Sequence, residues 1–157
     1  SHLELPRVDT EHGELSETDF APFKALAHAP MAMTAHIVYS DIDPDNPATT
    51  SPDMINTVIR TEIGFDGLLM TDDLSMKALS GSFRERAERS LTAGCDLLLH
   101  CNGDRKEMQQ IAESTPEFVG KALERAENAE QARSRIDEFD SKQAESRLDC
   151  LLEQAIL

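Results

Sequence analysis

The sequence Ile63-Gly64-Phe65-Asp66-Gly67-Leu68-Leu69-Met70-Thr71-Asp72-Asp73-Leu74-Ser75-Met76 joins a short apolar run directly to two adjacent carboxylates. Residues 68–70 are too few for a helix, and Gly67 and the acid pair bound them, so they predict a buried strand. The acids then stand at the C-terminal end of that strand. In parallel α/β proteins the active site lies at this end, because the loops that leave the strands converge there. We therefore expect the chemistry of the protein at residues 71–73.

The two carboxylates of this stretch have different interpretations. Asp73 directly precedes residues 74–79, and an Asp in that place caps the free amides at the start of a helix. Asp72 would be the last residue of the strand and would point out of the sheet. An uncompensated carboxylate is costly there unless it has a chemical task. The sequence therefore favours Asp72 as the functional acid.

Two further segments resemble this strand in length and composition. Residues 31–39 and residues 96–101 are short apolar runs, which predict strands buried on both faces. Helical spacing over residues 53–63 and residues 83–93 predicts the helices between them, the first with Ser51 as its cap. Helices that alternate with short apolar strands are typical of a parallel sheet. The order βαβαβ thus predicts an α/β fold and fits three strands of a barrel.

A helix is also predicted before the first of these strands. Residues 15–27 carry Phe20, Phe23 and Leu26 at helical spacing, with Ser16 or Thr18 as the cap.

The C-terminal part of the chain has the pattern of a helical tail. Beyond Pro116 there is almost no Gly or Pro, and apolar residues recur at helical intervals, which predicts core packing of one helix face. Residues 137–141 would divide this tail into two antiparallel helices. We therefore expect residues 1–115 to form part of a barrel and residues 116–157 to form a helical tail that packs on it. The apolar positions of the tail are Leu123, Ala126, Ala129, Ala132, Ile136, Phe139, Leu148, Leu151, Leu152 and Ile156.

Composition narrows the classes of partner. A formal charge of −15 over 157 residues, with an isoelectric point near 4.6, argues against nucleic acid and against anionic membrane surfaces. No run approaches the roughly 18 apolar residues of a membrane span, and no basic and apolar leader opens the sequence, so a soluble chain is expected. Three cysteines without metal-ligand spacing predict reduced thiols in a cytoplasmic protein. No metal or cofactor motif is present in the sequence, and we expect neither.

The motifs together resemble a known family. Residues 63–67 leading into Thr71-Asp72-Asp73-Leu74-Ser75-Met76, with Met33-Thr34-Ala35-His36 before and Ala93-Gly94-Cys95-Asp96 after, are similar to the bacterial β-N-acetylglucosaminidases of glycoside hydrolase family 3. The resemblance covers about residues 1–105. It implies a cytoplasmic TIM-barrel enzyme that removes N-acetylglucosamine from muropeptides during peptidoglycan recycling. In that family the Asp directly after the Ser or Thr at the end of the seventh strand is the nucleophile, which implies Asp72.

The resemblance also implies an acid/base residue at the start of the chain. The family carries an Asp-Ser-His motif in the loop after the fifth strand, and Ser1-His2 followed by Leu5-Pro6 matches its end. His2 would then shuttle the proton, because an imidazole near its reference pKa can both donate and accept a proton at neutral pH. Taken without the family, His2 would be a terminal residue with no role. The Asp that orients the imidazole in the family would precede Ser1.

By the same resemblance, residues 31–39, 68–71 and 96–101 are the sixth, seventh and eighth barrel strands. The residues that bind the sugar in the family would lie before Ser1, so no substrate-binding residue is predicted here. We expect the chain to be inactive alone and to associate with the N-terminal part of the barrel or with itself, because an open sheet edge favours pairing. It would be a fragment of a longer protein or a processed product.

A second hypothesis comes from another class. The chain would be a non-catalytic acidic αβ module that serves only as an interaction surface. Under either hypothesis His36, near the end of a predicted strand, is expected to support the core or the site rather than to catalyse. His12, His28 and His100 are assigned no role. The sequence that precedes Ser1 in the gene would distinguish the two hypotheses.

Overall fold

The computed structural model describes residues 4–134 and 139–155. The predicted acid/base residue His2 and the predicted core residues Ile136 and Ile156 lie outside the described residues. Residues 137 and 138 of the predicted break over residues 137–141 do so as well, while residues 139 and 140 are non-helical and precede the helix that begins at Ser141.

The described residues form two parallel sheets. The first has three strands in the order β2-β4-β5, and the second pairs β1 with β3. The predicted α/β class with parallel strands is confirmed, but the expected count of three strands is wrong. The three predicted strand segments do lie side by side, so their C-terminal ends meet at one edge of the larger sheet. The strands are β1 (Arg7–Val8), β2 (Met31–Met33), β3 (Val38–Tyr39), β4 (Leu68–Asp73) and β5 (Leu97–Leu99).

The predicted strand over residues 31–39 is two strands that belong to different sheets. The first, β2, ends at Met33, and the Thr34 N–H makes the next ladder bond, to the Met70 carbonyl at 2.9 Å. His36 is then only 1% exposed, and side-chain and backbone groups bond both of its ring nitrogens. A buried polar ring needs such partners, and meeting them takes the chain out of the ladder before β3 begins.

The helix bounds agree with the sequence in the centre of the chain and differ near its start. The predicted single helix over residues 15–27 is wrong, because the chain turns at Phe20, whose ring is buried, and Pro22 opens a second helix. Phe23 is exposed. The helices are His12–Glu17, Ala21–Ala25, Asp53–Glu62, Phe83–Ala93, Arg105–Glu113, Gly120–Ser134 and Ser141–Ala155, with a 3₁₀ turn at Ala48–Thr50.

The helix Asp53–Glu62, which has π-type hydrogen bonding, forms where the sequence predicts a helix, and it packs against the sheet through Ile55 and Leu69. The Ser51 hydroxyl accepts a hydrogen bond from the Met54 N–H at 3.0 Å and caps it. Its residues Met54, Ile55 and Val58 are buried. Gly94 approaches this helix closely, because a Cβ at Gly94 would lie 2.9 Å from Ile55 Cγ2, and its φ of +119° is accessible mainly to glycine. Gly94 therefore ends the helix Phe83–Ala93 where the sequence places it.

The segment after β4 is a turn and not the predicted helix over residues 74–79. Strand β4 continues through both carboxylates to Asp73, two residues beyond the predicted end at Thr71. Asp73 therefore caps a turn, and the Leu74 N–H continues the sheet by donating to the Leu99 carbonyl at 2.9 Å. The prediction that Asp73 bonds nearby amides is confirmed, but the predicted helix is wrong, because residues 74–79 form a turn.

Ion pairs surround the N-terminal end of β4, and in them the Asp96 side chain is buried whereas the Asp66 side chain is exposed. Arg60 reaches Asp96 at 2.7 Å, and Arg125, from the helix Gly120–Ser134, reaches the other Asp96 oxygen at 3.1 Å and also pairs with Asp66. Asp96 further accepts a hydrogen bond from the Leu69 N–H at 2.9 Å. This network fastens the first half of the tail to the sheet.

The second half of the tail differs from its prediction. Leu148, Leu151 and Leu152 are each more than half exposed, so core packing of these side chains is wrong for the described chain. The division at residues 115 and 116 stays a prediction. Across the stretches that the structure covers, none of the helices combines the length and apolar character that crossing a membrane requires.

Candidate active site

The candidate site lies where β2, β4 and β5 end at the same edge of the sheet. Residues 34–36 follow β2, residues 71–73 close β4, and residues 100–102 follow β5. The parallel order brings the polar side chains of these three segments together, as the sequence predicts for a parallel sheet.

A β-bulge at the end of β4 shapes the site. Met70 pairs with Leu97 and Asp73 pairs with Leu99, so two residues of β4 lie opposite one residue of β5. Thr71 occupies the bulge with no exposed surface, and its hydroxyl accepts a hydrogen bond from the Leu99 N–H at 2.9 Å. A bulge redirects the side chains that follow it, and bulges are frequent beside active sites. Asp72 and Asp73 consequently have different surroundings.

The Asp73 carboxylate is fully engaged by its neighbours. Its Oδ1 accepts hydrogen bonds from the Ser75 N–H at 2.9 Å and the Cys101 N–H at 3.0 Å, and its Oδ2 accepts one from the Ser75 hydroxyl at 2.5 Å. Burial is the largest single influence and raises the pKa of Asp73, but the hydrogen bonds together lower that pKa below the ordinary value. Asp73 is therefore an ionised structural group that joins the turn after β4 to the end of β5.

The Asp72 carboxylate is much less engaged. Its Oδ1 accepts one hydrogen bond, from the Asp73 N–H at 2.7 Å, and the residue is half-buried. Among the described residues no hydrogen bond reaches its Oδ2, and no Lys or Arg lies within ion-pair distance. Asp72 thus has an oxygen available for chemistry at the end of β4, in contrast to Asp73. This is the difference that the sequence predicts between the two.

His36 lies between the two strand ends and supports them. Its Nδ1 is 2.8 Å from the Thr49 hydroxyl, and its Nε2 is 2.9 Å from the Asp73 carbonyl oxygen. The Thr49 hydroxyl in turn lies 2.9 Å from the Thr34 hydroxyl. With both nitrogens engaged and the ring buried, His36 supports the site and is not exposed to a substrate, as expected from the sequence.

Four residues of this arrangement were not foreseen. They are Thr49, Thr71, Ser75 and Cys101. Ser75 and Cys101 donate to the Asp73 carboxylate, Thr49 bonds His36, and Thr71 bonds the Leu99 N–H. The spacing Asp73-Leu74-Ser75 is a signal for Ser75, because an Asp commonly bonds the amide two residues later. Thr49 and Cys101 come from other elements, and only the tertiary structure brings them to β4. No group of three His, Cys, Asp or Glu able to hold a metal occurs in the described part of the chain.

Residues 1–138 match the glycosyl hydrolase family 3 N-terminal domain. The match covers well over half of the chain, so the chain belongs to this family. The fold agrees, since the neighbouring structures share the parallel α/β arrangement described above.

Particular relatives are curated and solved enzymes. The chain is 42% identical to the β-hexosaminidase of Tolumonas auensis over 107 residues, which is 65% of this chain and 32% of that protein. It is 38% identical to the β-hexosaminidase of Pasteurella multocida over 129 residues, 76% of this chain and 36% of that protein. The chain therefore spans about a third of the length of the curated relatives it matches.

Two solved structures are similar over most of the chain. A family 3 β-N-acetylglucosaminidase from Paenibacillus sp. str. FPU-7 superposes with a TM-score of 0.72 and 29% identity, covering 90% of this chain and 30% of that one. NagZ from Neisseria gonorrhoeae, in complex with N-trifluoroacetyl-D-glucosamine, superposes with a TM-score of 0.69 and 34% identity, covering 82% of this chain and 37% of that one.

Proposed function

We propose that the complete protein is a retaining β-N-acetylhexosaminidase in which Asp72 is the nucleophile. The observation that carries the proposal is the half-buried carboxylate of Asp72, whose Oδ2 has no partner among the described residues. Family membership and the β-hexosaminidase relatives support the same reaction class.

In the first step an Asp72 carboxylate oxygen bonds to the anomeric carbon of the sugar. The bond from that carbon to the leaving oxygen breaks, and an acid gives this oxygen its proton. In the second step water gives a proton to the same group, attacks the anomeric carbon and releases Asp72 as a carboxylate. Retention requires the nucleophile and the acid about 5 Å apart across the glycosidic bond.

His2 is the acid/base residue of this proposal. The match of Ser1-His2 to the family's acid/base loop motivates it, and His36, the histidine that follows β2 at the candidate site, is buried with both ring nitrogens bonded. A His suits a loop because an exposed Glu would already be ionised at neutral pH and could not act as the acid. The Asp that precedes the Ser-His pair in the family would orient the ring and stabilise its cation, as in a hydrolase triad.

The substrate of the proposal is a terminal β-linked N-acetylglucosamine on a muropeptide, cleaved in the cytoplasm without a cofactor. One of the relatives is described in complex with an N-acylated glucosamine, which supports a sugar of this type. The groups that recognise the sugar would come from the N-terminal part of the domain, which this chain does not span.

The chain supplies strands six, seven and eight of the proposed barrel as β2, β4 and β5. Strand β2 is an edge of the described sheet, and its residues Met31 and Met33 are exposed. Beside this edge lies an apolar cavity of about 550 Å³, whose lining includes Phe23 and Leu26. The N-terminal part of the barrel would cover both the backbone edge and these side chains.

Variants of the two aspartates in the full-length protein test the proposal. Asp72→Ala should abolish hydrolysis of an aryl β-N-acetylglucosaminide, whereas Asp73→Ala should keep measurable but reduced turnover, because the Asp73 carboxylate positions the turn and does not react. The result that contradicts the proposal is an active Asp72 variant beside a dead Asp73 variant.

In the same assay His2→Ala should lose most activity on substrates with poor leaving groups and less on activated ones, since a poor leaving oxygen needs the proton most. Equal losses would assign His2 to loop structure.

The open edge also favours the second candidate, a non-catalytic interaction module. Sedimentation and activity of this chain alone, and mixed with the N-terminal part, separate the two. Activity that appears only on mixing supports the barrel, while stable self-association with no gain of activity on mixing supports the module. A monomer of this chain that turns over substrate would contradict both.

A further inference from the structure

His36 makes a contact that the proposed chemistry has not used. Strand β2 ends before β4 does, and the last backbone bond between them runs from the Thr34 N–H to the Met70 carbonyl. The Asp73 carbonyl therefore has no strand partner on that side. It accepts a hydrogen bond from His36 Nε2 at 2.9 Å and one from the Met76 N–H at 3.1 Å. His36 thus supplies, beside the two aspartates, a hydrogen bond that a neighbouring strand would otherwise make.

We propose that His36 is a positioning residue that fixes the orientation of the Asp72 carboxylate through the backbone of Asp73. The inference rests on the function proposed above. Asp73 is held at its carbonyl by His36 and at its carboxylate by Ser75 and Cys101. These bonds fix the orientation of the Asp73 backbone, including its N–H. That N–H donates a hydrogen bond to Asp72 Oδ1 at 2.7 Å.

The Asp73 carbonyl determines the tautomer of His36, and the neighbouring hydroxyls complete its hydrogen bonds. A carbonyl oxygen can only accept a hydrogen bond, so Nε2 carries the proton and donates to Asp73. Nδ1 then accepts from the Thr49 hydroxyl, and Thr49 accepts from the Thr34 hydroxyl. In this order each group has a partner of the right kind. Thr34 and Thr49 are both buried, which keeps competing water away from the chain of hydrogen bonds.

Loss of this support should affect the chemical step more than sugar binding. A displacement of about 1 Å in a reacting group can cost on the order of 100-fold in rate. His36→Leu, which removes the donor and keeps an apolar side chain of similar bulk, should lower kcat about 100-fold with KM within twofold. His36→Gln can still donate a side-chain N–H to the carbonyl and should recover about tenfold of that loss.

The control is His12→Leu in the full-length protein. His12 lies in the helix His12–Glu17, outside the candidate site, and its Nε2 bonds Glu62 at 2.7 Å and not the backbone of an aspartate. Its kcat should stay within threefold of the parent even if the melting temperature falls. Equal losses of kcat in His36→Leu, His36→Gln and His12→Leu would overturn the proposal, because they would reflect packing alone.

A spectroscopic readout separates this inference from the proposed function. In the parent protein the ¹⁵N shifts of His36 near neutral pH should show the proton on Nε2, and Thr49→Val should change them. A proton on Nδ1 overturns the positioning role whatever the activity. A parent that does not hydrolyse the sugar but shows the Nε2 tautomer would contradict the proposed function while leaving the hydrogen-bond arrangement established.

Discussion

Acidic residues lie at both ends of β4, but only those at the N-terminal end form ion pairs with arginines. At the N-terminal end, Asp66 and Asp96 are paired with Arg60 or Arg125. At the C-terminal end, Asp72 and Asp73 make no ion pair with any described residue. Asp73 is satisfied by neutral donors, and Asp72 keeps an oxygen without a partner.

This difference shows how one strand can serve stability and chemistry at once. At the N-terminal end the buried Asp96 and the exposed Asp66 are both paired with guanidinium groups, which fix the helices to the sheet. The C-terminal end has loops that can approach a substrate, and there the bulge and the neutral donors leave one carboxylate available. In barrels the N-terminal face is similarly associated with stability and the C-terminal face with catalysis.

The largest expected effect comes from breaking the paired end. Arg60→Met removes one partner of an Asp96 side chain that is only 6% exposed, and it also removes hydrogen bonds to the Phe65 and Gly67 carbonyls. Arg125 and the Leu69 N–H still bind Asp96, so the carboxylate is not left uncompensated. The free energy of unfolding in urea should therefore fall by about 2–3 kcal/mol, the cost of losing hydrogen bonds to a charged group. The kcat of the folded fraction should stay within twofold of the parent.

Arg84→Met is the control for this prediction. Arg84 pairs with Glu88 and Glu113, all three side chains are more than half exposed, and the substitution should cost less than about 0.5 kcal/mol. If Arg60→Met were no more destabilising than Arg84→Met, the ion pairs would not be what stabilises the N-terminal end.

A smaller effect concerns acid stability. Glu62 is the last residue of the helix that precedes β4. The Ser16 hydroxyl bonds its carboxylate and has the largest effect on it, with smaller effects from His12 and Lys24, and together they lower the pKa of Glu62 to about 2. Because the pKa of Glu62 is lower in the folded state than in the unfolded state, its ionised carboxylate stabilises the fold above about pH 4.5. This contribution is lost as the pH falls toward 2. Allowing for partial exposure, we expect about 1–2 kcal/mol.

Urea unfolding of the parent and of Glu62→Gln at pH 6 and pH 3 measures this contribution. The variant should be less stable than the parent at pH 6 and should lose less stability on acidification. The exposed Glu17→Gln serves as the control and should follow the parent at both values of pH. A Glu62→Gln curve parallel to that of the parent would show that this carboxylate does not contribute to acid sensitivity.

Local patterns of the sequence were sufficient for the central features of the fold. The alternation of helices and short apolar runs predicted the parallel sheet, and the Ser51 cap and the Gly94 helix end were both confirmed. The priority of Asp72 over Asp73 followed from strand position. In the structure the two carboxylates differ in another way, because Asp73 is occupied by hydrogen bonds within a turn, and the priority of Asp72 stays a prediction.

The features that escaped prediction depend on partners far away in the sequence. The break after Met33 follows from the bonds of His36 to Thr49 and to the Asp73 carbonyl, and no local pattern contains these. The bulge at Thr71 depends on the register of β5, which only the tertiary structure sets. The apolar face of the last helix was predicted correctly as a pattern, but a pattern does not identify what covers it.

The most direct test of the central claim is to trap the covalent intermediate. The full-length protein, incubated with a fluorinated β-N-acetylglucosaminide analogue that slows release of the glycosyl–enzyme, should gain the mass of one sugar. Digestion and mass spectrometry should place that sugar on Asp72, and Asp72→Ala should gain nothing, while Asp73→Ala is still labelled. A sugar attached to Asp73, or to a carboxylate outside residues 71–73, would contradict the account.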